Sequence, residues 1–235
     1  MKRWHKGLIA FGALLGLESI ALETFANYIK YNPKEPEKDY YQRADEEYRN
    51  AEKDSIEDIV NGNYGILFVD MQFEYLEQIN IKDQREIIRN QKRLLVAARE
   101  NDIPVLVFEM GSKGETISSL KEIIDTVPRH KYFEKYRDDG FESYNDRADL
   151  PENWLREQNV EKIIFTGVNT DACIFANAES AVRLSFGIVT STDLVASMHC
   201  NVYCERVAPA LNYFLENGVL LDDSLILEDF LYARN

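Results

Sequence analysis

From residue 64 onward, short apolar runs alternate with longer segments in which apolar residues recur at helical spacing. Such runs are typical of strands buried on both faces, and the longer segments are typical of helices that cover a parallel sheet. Six strands are predicted, at 65–69, 104–108, 131–134, 162–166, 187–190 and 219–221. Five helices are predicted, at 83–100, 117–125, 151–158, 171–186 and 203–216. The pattern therefore predicts an α/β fold, a three-layer α/β/α, Rossmann-like, mostly parallel sheet with strand order 3-2-1-4-5-6.

The first sixty residues have another pattern, and we predict that 1–60 form a helical extension in front of a domain at 61–235. Residues 7–17 are uncharged and mostly apolar, and residues 34–58 contain ten acids and five bases. The apolar run is compatible with a packing or surface helix, a secretory signal or an anchor, although about 20 apolar residues are needed to span a bilayer. We therefore predict a cytoplasmic protein whose residues 1–30 contact a membrane surface or a partner, with export or membrane association as the alternative.

Composition and charge exclude several classes of protein. Hydrophobic residues make up 45% and charged residues 29%, which is typical of a folded soluble domain. The 27 basic and 41 acidic residues give a net charge of −14, which repels a phosphate backbone, so no nucleic-acid partner is predicted. Three cysteines are too few for a disulfide framework and leave at least one free thiol. Cys200 and Cys204 have no third cysteine nearby, so we interpret them as packing residues.

The candidate chemistry lies where the predicted strands end, because ligands of open parallel sheets bind at the carboxyl ends of the strands. The first strand ends at Asp70, and the fourth runs through a glycine-led turn to Cys173. Cys173 falls in the first turn of a predicted helix, where free N–H groups and the dipole favour a thiolate, and Asp171 can cap that helix. In the plainer interpretation Asp70 caps a turn and the thiol is inert packing. No histidine follows a convincing strand, so Asp70 is the candidate acid/base and Lys131 or Lys135 the candidate cation.

Three motifs in this order resemble the isochorismatase-like cysteine hydrolase family, over residues 64–222. They are Asp70-Met71-Gln72 after an apolar strand, Lys135 with Phe141 six residues on, and the run from Thr166 to Cys173. The resemblance implies that Asp70 is the general acid/base and Lys135 the catalytic lysine. It implies that Cys173 is the nucleophile, which attacks a carbonyl or nitrile-like carbon and forms a thioester-type intermediate.

The resemblance also implies how the oxyanion and the substrate are bound. The Val168–Asn169 bond matches a non-proline cis peptide of the family. That linkage would direct the N–H of Asn169, together with that of Cys173, at the developing oxyanion. The predicted substrate contacts are Gln72, Phe73 and Phe141, of which Phe141 matches a family aromatic beside the substrate.

Two departures from the family pattern refine the predicted function. Nicotinamidases of the family carry an aspartate and paired histidines that hold a metal, but residues 108–116 contain no histidine, so no metal and no cofactor are predicted. Members that cleave the vinyl ether of isochorismate need no cysteine nucleophile, so Cys173 favours cleavage of a C–N bond. We therefore predict an amidohydrolase acting on a small carboxamide, and the resemblance implies a homo-oligomer. The alternatives are a vinyl-ether or ester hydrolase, or a catalytically idle scaffold that docks through its extension.

Overall fold

The computed structural model describes residues 62–142, 149–199, 205–221, 224–225, 227 and 231–232. The predicted extension at 1–60 lies outside these residues, as do Cys200 and Cys204, so those predictions stay predictions. None of the described helices is both long and apolar enough to cross a membrane.

A parallel sheet of seven strands organises the described residues. The strands are β1 Tyr64–Val69, β2 Val105–Met110, β3 His130–Lys135, β4 Lys162–Val168, β5 Gly187–Ser191, β6 Val195–Ala196 and β7 Val219–Leu221. Their order is β3-β2-β1-β4-β5-β7, which confirms the predicted order of the six expected strands. The additional strand β6 continues the pairing along β4 beyond β5. Two residues carry no recognisable alternation, so the pattern could not predict β6.

Helices cover the sheet, in places that agree broadly with the predicted segments. They are α1 Phe73–Leu76, α2 Ile81–Glu100, α3 Ser118–Ile124, α4 Pro151–Glu157, α5 Phe175–Arg183 and α6 Ala208–Asn217. One difference matters for the site: the helix expected at 171–186 begins as a π-helical turn, Thr170–Ile174, before α5. A second difference is α1, a single turn that is too short to produce a periodic signal.

Two hydrophobic cores lie on the opposite faces of the sheet, and alternate residues of β1 point into each. Ile66 and Phe68 pack in the core that contains residues of α2 and α3, whereas Leu67 and Val69 pack in the core that contains residues of α5 and α6. All six residues of β1 are buried. Since a strand covered on both faces has apolar residues at every position, the short apolar run was a correct indication of a central strand. The three-layer prediction is confirmed.

The close approach of β4 to β1 determines how the ends of these strands meet. Gly167 pairs with Val69 in parallel register and has a φ of +131°. A Cβ atom at this position would lie 2.1 Å from the carbonyl oxygen of Val69. Only glycine combines this left-handed conformation with this contact. The residues that follow Val69 and Gly167 are therefore brought to one edge of the sheet.

Candidate active site

Asp70 leaves β1 with its side chain completely buried. Its backbone has a φ of +53°, in the left-handed region, and its N–H donates to the carbonyl of Phe108 on β2 at 3.0 Å. The carboxylate is 0% exposed, and its Oδ2 lies 2.8 Å from Nζ of Lys135. Burial raises the pKa of Asp70 above its ordinary value, although the charge of Lys135 acts in the opposite direction. Asp70 is thus a buried carboxylate that is paired with a buried cation.

Lys135 is the last residue of β3, and its ammonium group is also fully buried. Besides its contact with Asp70, Nζ donates to the backbone carbonyls of Arg137 at 3.0 Å and Asp138 at 3.4 Å. The lysine therefore fixes both the charge of Asp70 and the path of the chain after β3. Lys131, the other candidate cation, instead pairs with Asp149 and lies over the ring of Phe133. The structure thus distinguishes two lysines that the sequence left open.

Cys173 occupies the π-helical turn after β4, where only 3% of the residue is exposed. Two carboxylates act on its thiol: Sγ donates to Oδ1 of Asp138 at 3.4 Å, and Asp70 lies close enough for its negative charge to affect the thiol. Burial, followed by the negative charge of Asp70, raises the pKa of Cys173 far above that of a free thiol, despite the nearby charge of Lys135. Burial and Asp70 therefore oppose the helix N-terminus and Lys135, which were expected to favour a thiolate. The raised pKa favours the neutral thiol, and Asp70 is available to accept its proton.

Asp171 does not cap the helix that carries Cys173, which corrects a second expectation. Its Oδ1 accepts a hydrogen bond from Ser197 Oγ at 2.6 Å, and its Oδ2 lies 2.7 Å from Nε of Arg206. The side chain is directed away from the turn because these two partners, which are distant in sequence, satisfy both oxygens. The role of Asp171 is to tie the turn to the segments that follow β6 and precede α6.

Asp138 and Asn177 contact the thiol turn, and sequence reasoning missed both of them. Asn177, buried on α5, donates from Nδ2 to the carbonyl of Cys173 at 2.6 Å and to the carbonyl of Asp138 at 2.9 Å. Its Oδ1 accepts from the N–H of Gly140 at 2.8 Å. Asn177 therefore joins the turn after β3 to the turn after β4. The only sequence signal was an amide on the apolar face of a predicted helix, four residues after Cys173.

Tyr75 is a further neighbour of the site that the sequence did not predict. Burial raises the pKa of its hydroxyl, and the negative charges of Asp70 and Asp138 add to this effect. The raised pKa favours the neutral hydroxyl. Tyr75 lies on α1, the single turn that begins three residues after Asp70.

The predicted oxyanion residues lie at the end of β4. The Val168–Asn169 peptide bond is cis, and Asn169 is almost completely buried. The Oδ1 atom of Asn169 accepts from the N–H of Met198 at 2.9 Å, and its carbonyl accepts from Ala172 and Ile174. These bonds hold the backbone of Asn169 next to the turn that contains Cys173.

The three predicted substrate contacts have different environments. Gln72 is buried and holds the loop after β2: Nε2 donates to the carbonyls of Met110, at 2.9 Å, and Gly114, while Oε1 accepts from the N–H of Met110 at 2.9 Å. Both amide hydrogens are thereby used, so Gln72 positions that loop and offers no free donor to a substrate. Phe73 is 66% exposed at the start of α1. Phe141 is buried in the same core as Cys173. Its ring packs edge to face against that of Phe108, with the ring centroids 5.3 Å apart.

The loop after β2 does not fit the metal site of nicotinamidases. The carboxylates present are Glu109, whose Oε1 accepts from the N–H of Thr116 at 2.6 Å, and Glu115, whose Oε2 lies 3.9 Å from Nζ of Lys121. Among the described residues, no three His, Cys, Asp or Glu side chains converge as the ligands of a metal ion would. We therefore derive no step that involves a metal.

Comparisons with known proteins identify the family of this chain. The family model described as the isochorismatase domain matches residues 64–204. No curated protein matches the chain.

Several solved structures share the fold, and three of them are described below. The MAR1 ribonuclease from Caenorhabditis elegans is 21% identical, with 73% of this chain and 82% of that chain covered and a TM-score of 0.60. The nicotinamidase from Staphylococcus aureus is 21% identical, with 68% of this chain and 98% of that chain covered and a TM-score of 0.56. An isochorismatase-like hydrolase from Alkaliphilus metalliredigens is 19% identical, with 74% and 99% covered and a TM-score of 0.55. At these identities the likeness concerns the fold.

Proposed function

Because this chain belongs to the isochorismatase family, we propose that it is a cysteine amidohydrolase that cleaves the C–N bond of a small carboxamide. The observation that carries the proposal is the buried Asp70–Lys135 pair, 2.8 Å apart, next to a buried thiol at the ends of three strands. A buried ion pair is costly to form, so one that adjoins a potential nucleophile is favoured as functional machinery.

The first step forms the thioester. The Asp70 carboxylate accepts the proton of the Cys173 thiol while Sγ attacks the carbonyl carbon, and the charge of Lys135 keeps Asp70 ionised beforehand. The backbone N–H groups of Asn169 and Cys173 donate to the resulting oxyanion. Each such donor typically contributes about 10²–10³ in rate. Asp70 then returns the proton to the leaving nitrogen, the C–N bond breaks, and an amine or ammonia departs.

The second step hydrolyses the thioester. Asp70, ionised again, takes a proton from a water molecule that attacks the acyl carbon. The C–S bond breaks, the acid product leaves, and the proton held by Asp70 restores the Cys173 thiol. A neutral resting thiol suits this cycle, because the same proton moves between two groups that are in contact.

Two features favour a small-molecule substrate. The net charge of −14 and the two carboxylates on the thiol oppose the binding of an RNA backbone, although one structural neighbour is a ribonuclease. The ring of Phe141, which belongs to the same hydrophobic core as Cys173, would supply an apolar surface for the acyl group. Homo-oligomer formation, a cytoplasmic location and a membrane or partner contact through residues 1–30 are further parts of this proposal.

The proposal is tested by ammonia release from a panel of small carboxamides. We expect turnover by the wild-type protein and a mass increase on Cys173 that corresponds to the acyl group when the reaction is quenched early. Cys173→Ala should abolish both signals, whereas Cys204→Ala, which removes another thiol, should leave both unchanged. A folded protein that turns over no carboxamide and never acquires an acyl group would instead favour the idle scaffold.

A further inference from the structure

Asp138 places a second carboxylate on the thiol, and this one is open to solvent. Its Oδ1 lies 3.4 Å from Sγ of Cys173, and the residue is exposed, unlike Asp70. Within the part of the chain that the structure describes, no lysine or arginine forms an ion pair with the Asp138 carboxylate. An exposed carboxylate that contacts the nucleophile and has no such counter-charge can interact directly with a bound substrate.

The position of Asp138 is built into the fold. Its carbonyl accepts hydrogen bonds from two buried side chains, Asn177 at 2.9 Å and Lys135 at 3.4 Å. Two residues later the N–H of Gly140 donates to the same Asn177. A Cβ atom on Gly140 would lie 2.5 Å from the ring of Phe108, so the turn is also tightly packed. The carboxylate is therefore presented by a backbone that is held on both sides.

The charges around the thiol sum to one negative charge. Lys135 neutralises Asp70, while Cys173 and the Tyr75 hydroxyl are protonated, which leaves the charge of Asp138. Glu74, next to Tyr75, is paired with Lys113 at 2.7 Å. A cationic group beside the scissile bond is attracted by this field, and an anionic group there is repelled.

We infer that Asp138 is a specificity-determining residue that selects carboxamides bearing an ammonium or guanidinium group close to the scissile carbonyl. This inference rests on the proposed amidohydrolase function and names its substrate class. The cation must be close to the carbonyl, because Asp138 and the attacked carbon contact the same sulfur atom. The cation would donate a charge-assisted hydrogen bond to the carboxylate.

The experiment compares three carboxamides of similar length that differ in terminal charge: 3-aminopropanamide, butanamide and succinamate. For the wild-type protein at pH 7, we expect kcat/KM for 3-aminopropanamide to exceed that for butanamide by at least about tenfold, with succinamate the poorest. Asp138→Asn should reduce the ratio of kcat/KM for 3-aminopropanamide to kcat/KM for butanamide by at least about tenfold, and Asp138→Lys should make succinamate the best of the three substrates. Asp125→Asn removes the same single charge before β3 instead of after it, so it should keep the wild-type ratio.

The result can fail in two distinguishable ways. Turnover of all three amides without a charge preference, or a ratio that Asp138→Asn leaves unchanged, would overturn the role of Asp138 and keep the amidohydrolase. Absence of all turnover would overturn the amidohydrolase. The inference is then tested by calorimetric binding to the Cys173→Ala variant: tighter binding of 3-aminopropanamide than of butanamide, lost in Cys173→Ala/Asp138→Asn, supports it, and equal binding overturns it.

Discussion

Two regions deliver a carboxylate to the same thiol, and they differ in almost every physical respect. The end of β1 supplies Asp70, which is fully buried and paired with Lys135. The turn after β3 supplies Asp138, which is exposed and held mainly through its backbone. We infer from this difference that the two carboxylates have different roles. Asp70 on the central strand would transfer the proton, which requires a dry and rigid environment. Asp138 in the turn would determine selectivity, which requires contact with the substrate.

The largest expected effect concerns the buried region. Asp70→Asn keeps the shape of the side chain but removes the proton acceptor, so kcat for butanamide should fall by about 10²–10⁴. Asp138→Asn should cause a smaller loss on this neutral substrate. Ammonia release measures both.

Folding must be checked alongside the rate. Asp70→Asn leaves Lys135 buried without a counter-charge, which typically costs about 3–5 kcal/mol. The thermal stability of each variant is therefore measured beside its rate of ammonia release. Asp70→Glu retains the charge, so relative to Asp70→Asn it should restore stability more than activity. A folded Asp70→Asn variant with wild-type kcat would refute the role of Asp70.

An intermediate effect is expected from replacing two glycines, one in the buried sheet and one in an exposed loop. Gly167 contacts the backbone of Val69 and has a φ of +131°, so Gly167→Ala should lower the free energy of unfolding by at least about 2 kcal/mol. Gly114, in the loop after β2, has a φ of +77°, but a Cβ atom there would meet no other atom within 4 Å. Gly114→Ala should therefore cost only about 1 kcal/mol. Urea unfolding measures both, and equal losses would contradict the difference in packing.

The smallest expected effect is on the reactivity of the thiol. Because burial and Asp70 raise the pKa of Cys173, little thiolate is present at pH 7, and iodoacetamide should alkylate it at least about tenfold more slowly than a free cysteine. The rate should rise only as the pH passes the ordinary range of a thiol. Asp70→Asn removes the negative charge that has the larger effect on the pKa of Cys173, so it should lower this pKa and accelerate alkylation more than Asp138→Asn does.

Peptide mapping separates this reaction from that of Cys200 and Cys204. Alkylation of wild-type Cys173 as fast as a free thiol would refute the protonated resting state. A larger acceleration in Asp138→Asn than in Asp70→Asn would reverse the comparison of the two carboxylates.

Much of the fold and part of the candidate site could be predicted from local pattern. Short apolar runs indicated strands covered on both faces, hence the three layers, and the strand order is the usual one for a doubly wound sheet. Parallel strands place their carboxyl ends at one edge, so Asp70 and Cys173 were expected together, whereas the choice of Lys135 over Lys131 depended on the family resemblance. What escaped prediction was short or nonlocal: the strand β6, the helix α1 and the pairing of Asp171 with Arg206.

The sequence by itself therefore determined which residue types end the strands and which edge of the sheet they share. The tertiary structure alone decided their state and their neighbours. A thiol at a helix N-terminus has a lowered pKa in isolation, but removal from water and the adjacent charge of Asp70 raise it in the fold. In the same way, no spacing rule connects Asp138 to Cys173, because that contact depends on a turn that Asn177 holds from another helix. Desolvation and nonlocal contacts are properties of the packed chain, so they appear only once the chain has folded.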